Sequence, residues 1–564
     1  MVNLVRKRPL AEQGVTVTAQ AGSWNNYRTE IDGNAPVTDR LRLRAVAAYQ
    51  DRRFSVDGQK LAAPALYGIA EFDATPQTRL SLGASWEKND YDGYYRDFLP
   101  RFTDGRGLGL PRSSRGLAPA WNRWNYKASN GFGSIEQQLG ENWSLKLDVN
   151  RAELWLGNAQ VGARGAVDPL TLRGPRYTTA SSSDNSFRND TLNAALTGKV
   201  ALFGREHDIV VGGNRFKSEA TLNQVVAAVP QPTGSIFGYD YGSVPFPVFP
   251  TRSSIDNLSL VEEAGLYGMG RLNLADRLKL VLGGKRGDYR TKAGNTQLGY
   301  TGENKEEGVF IPYGGLLYDF ATNWTAYVSY SEAFEEQSTL FTTGGTPLPP
   351  LEGANYEVGI KGALYDERLN LALAVFRIDQ TNRPQEDPNG PAICPGSPYD
   401  DVCYLADGKV RGQGFEAELS GEPAPGWQIV LGYTFTDTEY LRERNPDGTP
   451  SAVEGRDFSS ITPRHLVKIW SNYQFTGDFS RLSLGGGVNF QSGIYLLDET
   501  YKIEQSAYGI VNARIGYKLG AGMDASLNVN NLLDKNYYQR IGDRTSGNRY
   551  GEPRSFMLTI RASF

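Results

Sequence analysis

Histidine and cysteine are nearly absent: the 564 residues hold two of each, with four methionines. That leaves almost no material for a metal centre or a disulfide framework. The longest uncharged stretches lie around 225–250 and are interrupted by Pro and Gly. No window therefore supplies the ~20 apolar residues of a membrane-crossing helix. A net charge of −4 with a pI of about 5.6 argues against nucleic acid as a partner. Residues 1–9 lack the apolar core of a secretion signal.

What the chain does have is 64 Gly, 31 Tyr, 24 Phe and 9 Trp, a composition that favours strands and aromatic girdles. A short polar turn followed at once by strict alternation recurs along its length. Trp143, Leu145, Leu147 and Val149 alternate with Ser144, Lys146, Asp148 and Asn150. Trp427, Ile429, Leu431, Tyr433 and Phe435 do the same, as do Leu369, Leu371, Leu373 and Val375. The last nine residues place Phe556, Leu558, Ile560, Ala562 and Phe564 on one face of a strand. The other strand ends run into long Gly-, Pro-, Asn- and Asp-rich segments, at 90–127, 157–187, 220–257, 334–353, 381–409, 440–462 and 537–551.

Short turns at one end and long loops at the other are the asymmetry of an outer-membrane barrel. The pattern predicts an all-β, transmembrane antiparallel β-barrel of about 22 strands, with short periplasmic turns and long extracellular loops. The count should be even, so that both termini return to the short-turn side. Its second parity is polar, so the lumen is wet and, at this strand number, wide. Cys394 and Cys403 sit in a Pro/Gly/Asp-rich stretch and suit a small loop disulfide, with two unrelated free thiols as the alternative. Asp400 and Asp401 read as a solvated loop rather than a calcium site, and no metal site is expected.

Several segments resemble one family. Residues 2–9 (VNLVRKRP) resemble the last plug strand of TonB-dependent outer-membrane receptors. Residues 21–28 (AGSWNNYR) and 46–51 (VAAYQD) resemble that family's first barrel strands. Residues 353–362 (GANYEVGIKG), 376–382 (FRIDQTN), 412–421 (GQGFEAELSG), 462–465 (TPRH), 527–538 (LNVNNLLDKNYY) and 550–556 (YGEPRSF) continue the likeness over essentially the whole chain. The branch it is most similar to is that of the ferric-coprogen and ferripyoverdine receptors.

The resemblance implies residues 1–13 as the C-terminal remnant of a plug and 14–564 as the barrel. A signal peptide, a TonB box and most of a plug would then precede this sequence; a plugless product is the alternative. It implies a cell outer membrane receptor that is no enzyme and has no cofactor, iron arriving as a ferric siderophore. Expected partners are that siderophore, TonB–ExbB–ExbD through the N-terminal region, the barrel assembly machinery (reading Phe564 as its signal), and outer-membrane lipid with lipopolysaccharide around a monomer. Such a vestibule needs aromatics and arginine, and the third long loop offers Tyr94, Tyr95, Arg96, Trp121, Trp124 and Tyr126. By parity from Ile135 and Leu139, Trp124 and Tyr126 point inward. Trp155 joins the candidates but shares parity with Val149, and with Arg151 and Glu153, which sets it above the bilayer. Trp143, Trp324 and Trp427 are expected in the periplasmic girdle and Trp86 in the outer one. The runner-up is a passive or substrate-selective porin with 220–257 folded inward. A hydrolase would need His207 or His465 in a catalytic constellation, and a soluble secreted β-protein would need no detergent.

Overall fold

The computed structural model describes residues 5–251, 256–337, 339–395, 402–445, 448–498, 501–520 and 522–564. Twenty-two strands close into one antiparallel barrel. They are Gly14–Gly22, Asn26–Pro36, Leu41–Arg53, Lys60–Thr75, Thr78–Asp92, Arg123–Leu139, Trp143–Gln160, Ala180–Leu202, Arg205–Ala227, Asn257–Asn273 and Leu278–Asn295. Gly299–Ala321, Trp324–Glu335, Leu351–Leu364, Leu369–Glu386, Tyr404–Ala424, Trp427–Arg442, His465–Gln474, Leu482–Gln491, Tyr508–Gly520, Met523–Asn530 and Ser555–Ser563 complete it. Each pairs with its neighbours in sequence, and the last pairs with the first: Val17 faces Ala562, Ala19 faces Ile560 and Ala21 faces Leu558. Val15 and Phe564 exchange both backbone hydrogen bonds, at 3.0 and 2.9 Å, so the seam has no free edge. Among the described residues no helix is long and apolar enough to cross a membrane.

Alternation sorts the wall into two faces. Leu280, Leu316, Val328, Val358, Val375 and Phe415 are successive cross-strand partners, an unbroken apolar row over six strands. Exposed Val358 and Val375 mark that face as the one meeting lipid. Trp143, Trp324 and Trp427 stand on it at the short-turn end. Trp143 and Trp324 lie flat over Gly198 and Gly362, where a Cβ would come within 2.2 and 2.6 Å of the ring, so only glycine permits the approach. Trp86 is on the same face near the opposite rim.

The inward face carries charge. Arg44 pairs with Asp32 at 2.8 Å and Arg42 with Asp73 at 2.7 Å. The segment before the first strand runs along this inner wall. Lys7 bridges Asp32 and Glu30 at 2.8 and 3.1 Å, and Arg8 meets Glu71 at 2.5 Å. Arg6 donates to Asn150 at 2.9 Å and lies over the Phe132 ring at 4.1 Å. The Lys7 and Arg8 carbonyls accept from Tyr67 and Arg44.

Three strands, Ala180–Leu202, Arg205–Ala227 and Gly299–Ala321, each have 23 residues, about 75 Å of extended chain. Crossing hydrocarbon takes ~9–11 residues, so the wall stands tall on the long-loop side. The ladder there starts earlier than alternation suggests, at Ala180 and Gly299 rather than near 187 and 309. Both faces are polar above the membrane, which erases the period-2 signal while the hydrogen bonds continue.

Candidate functional site

Long-loop segments close over one side of the mouth as a single packed unit. Its core joins Leu99, Leu117, Val161, Val167, Val229 and Val244 from three loops. Asn122, wholly buried, donates to the Val161 carbonyl at 2.9 Å and accepts from its N–H at 3.0 Å. Asn548 ties in the last loop: its Oδ1 accepts from Arg101 at 2.8 Å, and Leu99 donates to its carbonyl at 2.8 Å. Tyr177 donates to the Leu117 carbonyl at 2.7 Å. Burial lowers the Arg115 pKa; its guanidinium donates to the Pro119 and Asp57 carbonyls. Arg112 pins the last loop at Asp534, 2.8 Å away, and holds that carboxyl below the usual range.

The cap redistributes the sequence candidates. Tyr95 is 4 % exposed, packed edge-on against Phe98, and burial pushes its hydroxyl pKa well up. It is part of the cap core rather than a surface offered to a ligand. Trp121 packs edge-on to Phe246 at 5.3 Å against the same core. Arg96 donates to Ser181 at 3.2 Å. Trp155 keeps the parity of Val149 and so leaves the ligand surface: its ring is on the outer wall, bonded to Asp184 through the indole N–H, with the Lys127 ammonium 5.0 Å above it. The reason is unbroken register from Val149 to Trp155.

Tyr94 and Trp124 do meet, with ring centroids 5.3 Å apart. Trp124 and Tyr126 share the inward parity of Phe132, with no bulge between them. Three residues outside the sequence candidates extend this surface. Tyr91 is the cross-strand partner of Trp124, Phe54 stacks on Tyr91 at 5.5 Å, and the Arg52 guanidinium covers Phe54 at 4.1 Å. Parity from Leu80 and Leu82 aims Tyr91 inward; Arg52 stands two strands away in the same row, through their shared partner Leu61, and Phe54 follows it just past the strand end. The result is a half-buried aromatic run with a cation at one end, suited to a flat, partly apolar, anionic ligand.

Cys394 and Cys403 are bonded to each other, so the loop-disulfide expectation holds. Asp400 and Asp401 lie outside the described residues. Both imidazoles are committed to structure. His207 accepts from the Asn273 N–H through Nδ1 at 3.1 Å and donates to the Leu202 carbonyl through Nε2 at 3.1 Å. His465 pairs with the Tyr433 hydroxyl at 3.0 Å.

Residues 93–532 match the family described as TonB dependent receptor-like, beta-barrel. The whole chain is 34% identical to 68% of the ferric-pyoverdine M114 receptor PbuA of Pseudomonas sp. (strain M114). It is equally 34% identical to 68% of the ferripyoverdine receptor of Pseudomonas aeruginosa. Among solved structures, the ferripyoverdine receptor of the outer membrane of Pseudomonas aeruginosa bound to ferripyoverdine superimposes with a TM-score of 0.88. That match is 31% identical and covers 99% of this chain and 73% of the other.

Proposed function

The chain belongs to the TonB-dependent outer-membrane receptors, and on that premise we propose that its mouth captures ferric siderophores, ferric-pyoverdine chelates first among them. The observation that carries this is the inward-facing run Phe54, Tyr91, Tyr94 and Trp124, flanked by Arg52. The aromatic faces bury the flat apolar part of the chelate, and the guanidinium meets its anionic groups. Iron enters as cargo, already ligated by the siderophore, and the protein supplies no ligand to it.

Passage inward would follow from TonB–ExbB–ExbD acting on a plug whose C-terminal end is residues 1–13. The ion pairs of Lys7 and Arg8 with the inner wall support that reading of the segment. The porin alternative needs the loop after Ala227 folded into the lumen. Val229, Ile236 and Val244 are instead buried in the cap, and Tyr239 shares a hydrogen bond with Tyr177.

Equilibrium titration of the detergent-purified protein tests the proposal. We expect saturable binding of ferric pyoverdine with Kd of about 1 µM or tighter, roughly −8 kcal/mol, and weaker binding of the iron-free form. No saturable binding, together with a small defined conductance in a planar bilayer, would support the porin instead.

A further inference from the structure

The last long loop folds back as a small ribbon, Tyr538–Arg540 against Arg549–Tyr550. Its ladder carries a bulge: Gln539 is the extra residue, and it brings Arg540 opposite Arg549 rather than Asn548. The two arginines are therefore cross-strand partners of like charge, an arrangement that costs stability until an anion joins them. Among the described residues neither guanidinium has a carboxylate oxygen within 4.0 Å, and neither donates a hydrogen bond. Arg101, Arg112, Arg115 and Arg544 of the same cap are all spent, on Asn548, Asp534, Pro119 and Asp498.

Both guanidiniums stand over one ring, Phe98, at 5.9 and 5.5 Å from its centroid. Phe98 lies in the same loop as Tyr94, whose ring meets Trp124. Its backbone is strained: Asp97 and Phe98 have φ of 63° and 55°, left-handed values that favour glycine. The last loop holds them there. Gly547 donates to the Asp97 carbonyl at 2.8 Å, and Leu99 and Asn548 exchange backbone hydrogen bonds at 2.8 and 3.1 Å. Arg164 takes the Asp97 carboxylate at 3.2 Å, away from the arginine pair. Leu99 and Asn548 are buried, whereas Arg540 is exposed.

We propose that Arg540 and Arg549 form a carboxylate subsite of the mouth, which selects ferric chelates carrying a free carboxylate on an arm outside the iron-binding groups. Each guanidinium donates to the carboxylate oxygens, and the Phe98 ring shields one side of the pair from water. The arm neutralises both cations at once, so its arrival relieves their repulsion as well as adding hydrogen bonds. An amide arm of the same shape accepts hydrogen bonds but neutralises nothing, and that difference is the basis of selection. The subsite rests on the chelate-capture reading of the mouth. The aromatic run takes the body of the chelate whatever its arm, so capture and selection fail separately.

The test is titration of the full chain in detergent with two probes. One is ferric pyoverdine; the other is the same chelate with its free carboxylates converted to primary amides while iron occupies the ligating groups. The wild type should bind the acid form at least tenfold more tightly than the amide form. In R540Q/R549Q the ratio should fall to about one through loss of affinity for the acid form, with the heat-modifiable gel shift kept. R106Q removes an exposed arginine of the same cap, paired with Asp104, and should keep the ratio. Equal affinity of the wild type for the two forms, or an unchanged ratio in R540Q/R549Q, would overturn the subsite and leave capture standing. No binding of either form by the wild type would overturn capture and the subsite with it.

Discussion

Replacing Trp124 by alanine is expected to weaken ferric-siderophore binding at least tenfold, about 1.4 kcal/mol or more. The indole faces the lumen, stacks beside Tyr94 at 5.3 Å and completes the surface begun by Phe54 and Tyr91. Truncating a half-buried aromatic anchor removes contact area and lets water into its place, the usual signature of a hot spot. Trp124→Phe should recover most of the affinity, because the flat face remains. Trp155→Ala should leave affinity unchanged, since that ring is on the outer wall. Titration of the three variants by fluorescence or calorimetry separates these outcomes. Equal losses in W124A and W155A would mean the inward parity of the site is misassigned.

Removing residues 556–564 should have the largest effect on the fold. The last strand is the partner of both Gly14–Gly22 and Met523–Asn530. Without it, two rows of backbone N–H and C=O groups face hydrocarbon, at several kcal/mol for each unsatisfied group. No rearrangement of the remaining strands restores an even, closed wall with both ends on the short-turn side. The truncated chain should therefore show no heat-modifiable band on cold gel electrophoresis and should be degraded by added protease. Phe564→Ala keeps the ladder and removes one interfacial ring, so it should fold in lower yield and still show the shift.

The membrane-crossing part of this fold was readable because a barrel wall forces one parity into lipid. Leu280 to Phe415 and the terminal run from Phe556 to Phe564 carry that constraint residue by residue. All 22 strands follow from it, and so does the inward aim of Trp124 and Tyr126. The constraint stops where the wall leaves the membrane. There Ala180–Ser186 and Gly299–Glu307 still pair, but with polar residues on both sides, and alternation no longer marks them.

The mouth was legible only in part for a related reason. Tyr95 and Trp121 look like ligand aromatics in a loop rich in Gly and Pro, yet they pack under residues from loops far away in sequence. Asn122 with Val161, and Asn548 with Leu99, set that packing through hydrogen bonds that follow no period. Phe54 lies just past its strand, and Arg52 reaches Tyr91 across two ladders through their shared partner Leu61, a register that alternation along one strand does not give. The N-terminal contacts were hidden likewise: the side chains of Arg6, Lys7 and Arg8 find partners in four different strands.

Locating bound iron tests the receptor account most directly. In crystals of the protein soaked with a ferric siderophore, data collected at the iron absorption edge give the metal's position without reference to the side chains. The account predicts one strong anomalous peak inside the mouth, with the chelate stacked on Trp124 and Tyr94 and none of its iron ligands coming from the protein. A peak on the outer wall, or iron held by protein carboxylates, would contradict it.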